Sequence, residues 1–217
     1  MLRAFLDAIE HPPMPRKPAV WSSTLTHNST RNIRYIGYVD PNPDQDYHLH
    51  YGRHEPISPE KAPQSLYLAA KYTEQDIKKL PDAFTITGGI LTISPAFHAL
   101  LQQFDLGPTQ FFDVPLYEYD RTTLRPERYF VMQVNAVKDA VVPEESTSIK
   151  PWDGIYRPLD FSQGEFTVSS AALEGPDLWW DVKIRNRLFF SDRLKRAIKD
   201  NRIHASVWGW KKCRILD

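Results

Sequence analysis

The side chains of this chain best suited to chemistry gather in one polar stretch. His48-Leu49-His50 would set two imidazoles on one side of an extended strand, and His54 with Glu55 follows at once. Asp44 and Asp46 stand just before them. Imidazoles and carboxylates so placed could close on zinc or another transition metal, with a metal-dependent activity to follow. The same stretch also supplies Tyr47, Tyr51 and Arg53, and its spacing is not that of a zinc motif. A solvated recognition loop uses these residue types equally well, since Tyr and Arg give dense amphipathic contact. The reading carried forward is therefore partner contact through Asp44, Asp46, Tyr47, His50, Tyr51 and Arg53, with the metal site through His48, His50 and His54 as its competitor.

Elsewhere the chemical signals thin out. Cys213 is the single cysteine, which rules out an internal disulfide and a CxxC knuckle. Lys211, Lys212 and Arg214 would favour its thiolate, but no base stands beside it. Gly88-Gly89 is an isolated pair outside any phosphate-cradling pattern, and neither a GxSxG elbow nor an HExxH helix occurs. No catalytic residue and no cofactor is assigned on these grounds. Trp179, Trp180, Trp208 and Trp210 are large enough to anchor a partner, since Trp and Arg dominate interface hot spots. Trp180 and Trp208 are expected in the core, and Trp210 joins the polar stretch as a contact candidate.

The balance of charge bounds the partners. The 27 basic and 27 acidic residues cancel, yet 11 Lys+Arg against 4 Asp+Glu fall in residues 181–217, leaving the rest acidic. Either the two parts neutralise each other across the fold, or one is a footprint for an oppositely charged partner. A basic tail with interleaved aromatics also suits a nucleic-acid module, against which the balanced total argues. No run of about 18 apolar residues exists, so no membrane span is expected. Asp7 and Glu10 interrupt the opening apolar segment, which suits a short helix rather than a signal peptide. A reducing, cytoplasmic setting fits the lone cysteine.

Two segments define the elements that must position these groups. Residues 187–210 read as a strand, a capping Ser191, a helix with Leu194, Ile198 and Ile203 on one face, and a returning strand. Residues 90–114 repeat the pattern with Ser94 as cap, Pro95 at the first helical position, and Phe97, Leu101 and Leu106 on the apolar face. Matching positions lie 97 apart, with Phe111 falling at Trp208. Strands are also expected at 33–39, 47–51, 129–137 and 180–184, and a helix capped by Thr73 follows residue 66. Residues 11–18 and 143–154 read as proline-bearing connectors. The expected class is α+β: a mixed or antiparallel sheet with few helices and two strand, Ser-capped helix, strand units forming related lobes. Residues 1–65 would carry the N-terminal helix, connector and polar loop, and 66–217 the folded domain, with lobes at about 66–125 and 126–217. Strand edges leave room for a homodimer.

Three segments, GGILTISPAFHALLQQFDLGPTQFFDVPL, YFVMQVNAVKDAVVPEES and RLFFSDRLKRAIKDNRIHASVWGW, resemble in that order the signature segments of a bacterial polymorphic-toxin immunity family, the one numbered eleven in its classification. The chain departs from that pattern at Val142 and around Ala205 and Ser206. The resemblance covers about residues 80–210 and implies a small intracellular protein that binds and silences a cognate protein toxin. It brings no catalytic residue with it.

Overall fold

Ser94 and Ser191 both cap helices. The Ser94 hydroxyl accepts from the Phe97 amide at 3.2 Å, and the Ser191 hydroxyl from the Leu194 amide at 3.2 Å. These bonds satisfy amides that a first helical turn leaves without an intrahelical acceptor, and the extended backbone at each serine lets a strand pass straight into a helix. Thr73 and Asp76 form a reciprocal capping box on a shorter helix.

The computed structural model describes residues 17–26, 36–39, 54–78, 80–86, 89–147, 149–158, 165–184 and 186–216. In chain order the strands are β1 (Val20–Ser23), β2 (Ile36–Val39), β3 (Ser65–Leu68), β4 (Ala83–Thr85), β5 (Leu91–Ile93), β6 (Gln110–Tyr117), β7 (Leu124–Gln133), β8 (Val137–Lys138), β9 (Ile149–Trp152), β10 (Ile155–Pro158), β11 (Thr167–Ser169), β12 (Leu178–Asp181), β13 (Leu188–Ser191), β14 (Lys211–Lys212) and β15 (Arg214–Leu216). The α-helices are α1 (Glu74–Ile77), α2 (Pro95–Leu101) and α3 (Asp192–Asp200). One mixed sheet runs β2-β3-β6-β7-β5-β4 and a second runs β14-β1-β13-β12-β8. This is an α+β protein with few helices, as the composition and patterning imply.

The two sheets share a plan. In the first, β4 pairs β5, β5 leads into α2, and β7 lies between β5 and β6. In the second, β12 pairs β13, β13 leads into α3, and β1 lies between β13 and β14. Registers match as well: Ile93 faces Phe130 and Ala83, as Phe190 faces Trp21 and Leu178. The place that β7 fills in the first half is thus taken by β1, the strand nearest the N-terminus. The offset of 97 holds through both caps but becomes 99 beyond the helices, because α3 is longer than α2. Asp113, opposite Phe130, therefore corresponds to Lys212, opposite Trp21, and Phe111 corresponds to Trp210 rather than Trp208.

Both sheets are covered on both faces. Along β13, Leu188 and Phe190 enter the central core while Phe189 enters a second cluster behind the sheet; along β12, Leu178 and Trp180 divide from Trp179 in the same way. The first sheet repeats this, with Met132 in the central core and Val131 in a cluster with Leu66, Phe84 and Leu116. The central core joins residues of both sheets to Phe97 and Leu101 of α2 and Leu194 and Ile198 of α3. Near-continuous apolar runs such as LFF and LWW follow from this two-sided burial.

A reciprocal clasp locks the halves together. Asp82 accepts the Ser94 hydroxyl at 2.6 Å and the His204 amide at 2.9 Å, while its own amide donates to the His204 carbonyl at 2.6 Å. Asp177 accepts the Ser191 hydroxyl and the Asp105 amide, and its amide donates to the Asp105 carbonyl at 2.6 Å. Each aspartate thus ties its own half's capping serine to the turn after the other half's helix. Asp177 is buried and also receives Arg193 through Nε at 2.6 Å.

Several expected elements differ. The strand placed at 180–184 is Leu178–Asp181, and Asp181 is buried, accepting the amides of Ala140 at 2.8 Å and Val141 at 2.9 Å. The returning strand at 205–210 does not form. Residues there bridge at Ala205 to Ala83, and the Trp208 carbonyl accepts from Thr24, because β1 occupies the sheet position a return would need. The connector at 143–154 contains β9 and the start of a hairpin with β10. The strand at 129–137 is Leu124–Gln133, with Val137 opening β8. The expected helix before residue 11, most of the first connector and the strand at 47–51 lie outside the described residues. The division at residue 65 would place β1 apart from the sheet in which it pairs.

Candidate partner-binding surface

Asp44, Asp46, Tyr47, His48, His50, Tyr51 and Arg53 lie outside the described residues, but the chain on either side of them is described. Before them Val39 of β2 pairs with Ser65, and after them the chain resumes at His54. His54 takes a positive φ of 59° and stacks on Trp180 at 4.8 Å between ring centroids. The Gln133 side-chain amide donates to the Glu55 carbonyl. Gln110 makes a two-way clasp with Ile57, accepting its amide at 2.9 Å and donating to its carbonyl at 2.8 Å, and Asn135 donates to Gln110 at 3.2 Å. The polar break in YFVMQVNAV thus belongs to a row of amides that holds down the loop's return. Gln110 and the Gln133 amino group find partners on the returning backbone, whereas the side-chain carbonyl oxygens of Gln133 and Asn135 are buried with no partner among the described residues.

Beside this root, an open cavity of about 450 Å³ is lined by Pro59, Pro63, Gln64, Phe111, Phe112 and Asp113. His98 stacks on Phe130 at 4.0 Å and meets Phe111 edge-on. At the far end of the β6–β7 hairpin, the buried Arg125 gathers Glu74, Glu118 and Glu127. Three carboxylates on one guanidinium leave a net negative end. Hydrogen bonds from Thr123 and Thr122 also hold the Asp120 carboxyl down at about 2, so that carboxylate stays ionised across the physiological range.

The other candidates resolve differently. Trp208 and Trp210 stack on each other at 4.8 Å, and Trp210 meets Phe190 edge-on at 4.8 Å. Trp210 is half-buried by that packing, leaving only part of its ring to a partner. Trp180 is a core residue whose indole N–H donates to the Val134 carbonyl at 3.0 Å. His54, the described member of the metal candidate, is committed to its stack, and burial pulls its pKa down to about 4. Among the described residues, no group of three His, Cys, Asp or Glu side chains could hold a metal ion.

Cys213 is buried in the cluster around Phe189, and burial pushes its thiol up to about 12. That removes the thiolate a nucleophile needs at neutral pH. Part of the basic tail is paired: Arg193 with Asp177, Lys183 with Asp139, Arg214 with Glu145 and Arg196 with Asp192. Three of these four carboxylates come from the acidic part, so some of the tail's charge is offset across the fold. Among the described residues, no helix is long and apolar enough to cross a membrane.

Residues 28–213 match the model of the Immunity protein family (Imm11). The chain belongs to this family. No curated protein matches it.

Proposed function

We propose that the protein is a cytoplasmic immunity protein that binds a cognate protein toxin stoichiometrically and silences it. The observation carrying this reading is the family match, which spans the polar loop together with both halves of the frame. In this reading Asp44, Asp46, Tyr47, His50, Tyr51 and Arg53 supply the contact chemistry. The amide row at Gln110, Gln133 and Asn135 limits the ordering cost of binding by fixing one end of their loop beforehand. The loop plugs or covers the toxin's active site, and the acidic end near Arg125 speeds capture of a basic partner.

The test is co-expression and in vitro inhibition with the product of the adjacent gene. Toxicity should disappear at a one-to-one ratio, and the pair Tyr47→Ala and Tyr51→Ala should weaken inhibition tenfold or more with the melting temperature unchanged. A toxin still active in the presence of excess protein would sink the reading.

A further inference from the structure

We propose that the outward face of the β9–β10 hairpin is a second contact surface for the toxin, taking an acidic segment with an apolar edge. The proposal rests on the immunity reading above and deepens it.

The hairpin belongs to neither repeated half, and packing on the frame accounts for its inner side alone. Its turn is Asp153-Gly154, with φ of 49° and 78°, the pair of left-handed residues that matches a tight turn to strand twist. Register sets its two faces: Trp152 lies opposite Ile155, and Lys150 opposite Arg157. Directly opposed residues share a face, so these four line one side while Ile149, Pro151, Tyr156 and Pro158 line the other. Most of the second side is turned inward, since Ile149 and Tyr156 pack on the cluster around Phe166 and Phe189 and Pro158 is buried, while Pro151 near the turn is exposed. The Tyr156 amide donates to the Lys183 carbonyl at 2.7 Å, fixing the hairpin to the second sheet's margin.

The other side carries an exposed indole and, half-buried beside it, an isoleucine and two cations, without a carboxylate among its four members. Trp152 is 44% exposed, high for so large an apolar side chain. The Arg157 guanidinium sits 3.8 Å over its ring. This stack holds both side chains in one arrangement before binding, so less rotamer freedom is lost on contact. Trp and Arg are the residues that most often carry interface energy. Two cations select an acidic occupant. They are too few for a nucleic acid, where two neutralised phosphates support only weak, salt-sensitive binding.

Three forms of the full chain test this: wild type, Trp152→Ala, and the double reversal Lys150→Glu with Arg157→Glu. Affinity for the adjacent-gene toxin is measured by titration calorimetry at low and at moderate salt. Each variant should raise Kd tenfold or more with an unchanged thermal melt, Trp152→Phe should recover part of the loss, and the reversal should flatten the salt dependence. Wild-type affinity in both variants overturns the proposal and leaves the immunity reading standing. If wild type itself does not bind the toxin, both fall. Binding of a labelled oligothymidylate by wild type that is lost in the variants overturns the proposal in favour of a nucleic-acid face.

Discussion

Asp177 shows how much one side chain can hold in this protein. It takes the Ser191 hydroxyl, the Arg193 guanidinium and the Asp105 amide while buried, so Asp177→Ala strands several donors at once and should cost on the order of 3 kcal/mol in urea unfolding. Asp82 has the same geometry without the arginine and is less buried, so Asp82→Ala should cost less, about 1–2 kcal/mol. His54 sets a pH dependence. Its folded pKa of about 4 lies below the ordinary 6.5, so the unfolded chain binds more protons between those values. Stability from this group is level above pH 6.5, falls as pH drops toward 4, and levels off below. The loss between pH 7 and 4.5 should shrink by on the order of 2 kcal/mol in His54→Asn, which tolerates the same left-handed backbone. Cys213 should resist thiol reagents at pH 8 in the native protein and react once it unfolds. Asp82 and Asp177, which clasp the two halves, carry no local signal beyond a serine 12 or 14 positions later. Their role depends on partners in the opposite half.

At the scale of elements, the strand-to-helix transitions were legible because their causes are local. A Ser at the cap, Pro95 in the first turn and apolar residues at helical spacing act within a dozen positions. Thr73 with Asp76 was legible for the same reason. Strand identity after α3 was not, since sheet pairing is decided by what else competes for the neighbouring place. Residues 205–210 look like a strand, yet β1 pairs with β13 and the following chain packs across it at Gly209. A Cβ at Gly209 would sit 1.9 Å from the Thr24 hydroxyl oxygen, and the residue has φ of 51°. Gly209→Ala should therefore destabilise by more than about 2 kcal/mol in denaturant melts. The Asp153-Gly154 turn was a hairpin signal visible in the sequence, obscured by the prolines on either side.

For the whole molecule, the position of β1 makes a direct prediction. It lies between β13 and β14 as β7 lies between β5 and β6, so removing residues 1–25 deletes a central strand of the second sheet. The truncated chain should lose cooperative unfolding, read as loss of a sharp circular-dichroism transition, with the second half collapsing into a loosely packed state. Retention of a sharp melt would show that the second sheet closes without β1. The shared central core makes the halves interdependent, because Phe97 and Leu101 of one and Leu194 and Ile198 of the other bury one another's surface.

By itself, the sequence determined the α+β class, the two capped helices, the apolar faces they bury and the membership in an immunity family. These follow from residue types acting over short spans, or from ordered segments compared as strings. Only the tertiary structure decided that the first strand completes the second half, that each half's aspartate clasps the turn after the other's helix, and that a tryptophan and an arginine share the outward face of a hairpin. The first two join residues tens to nearly two hundred positions apart, where competition for sheet positions and buried donors is settled by the folded chain as a whole, and the third depends on which side of the hairpin packs against the core.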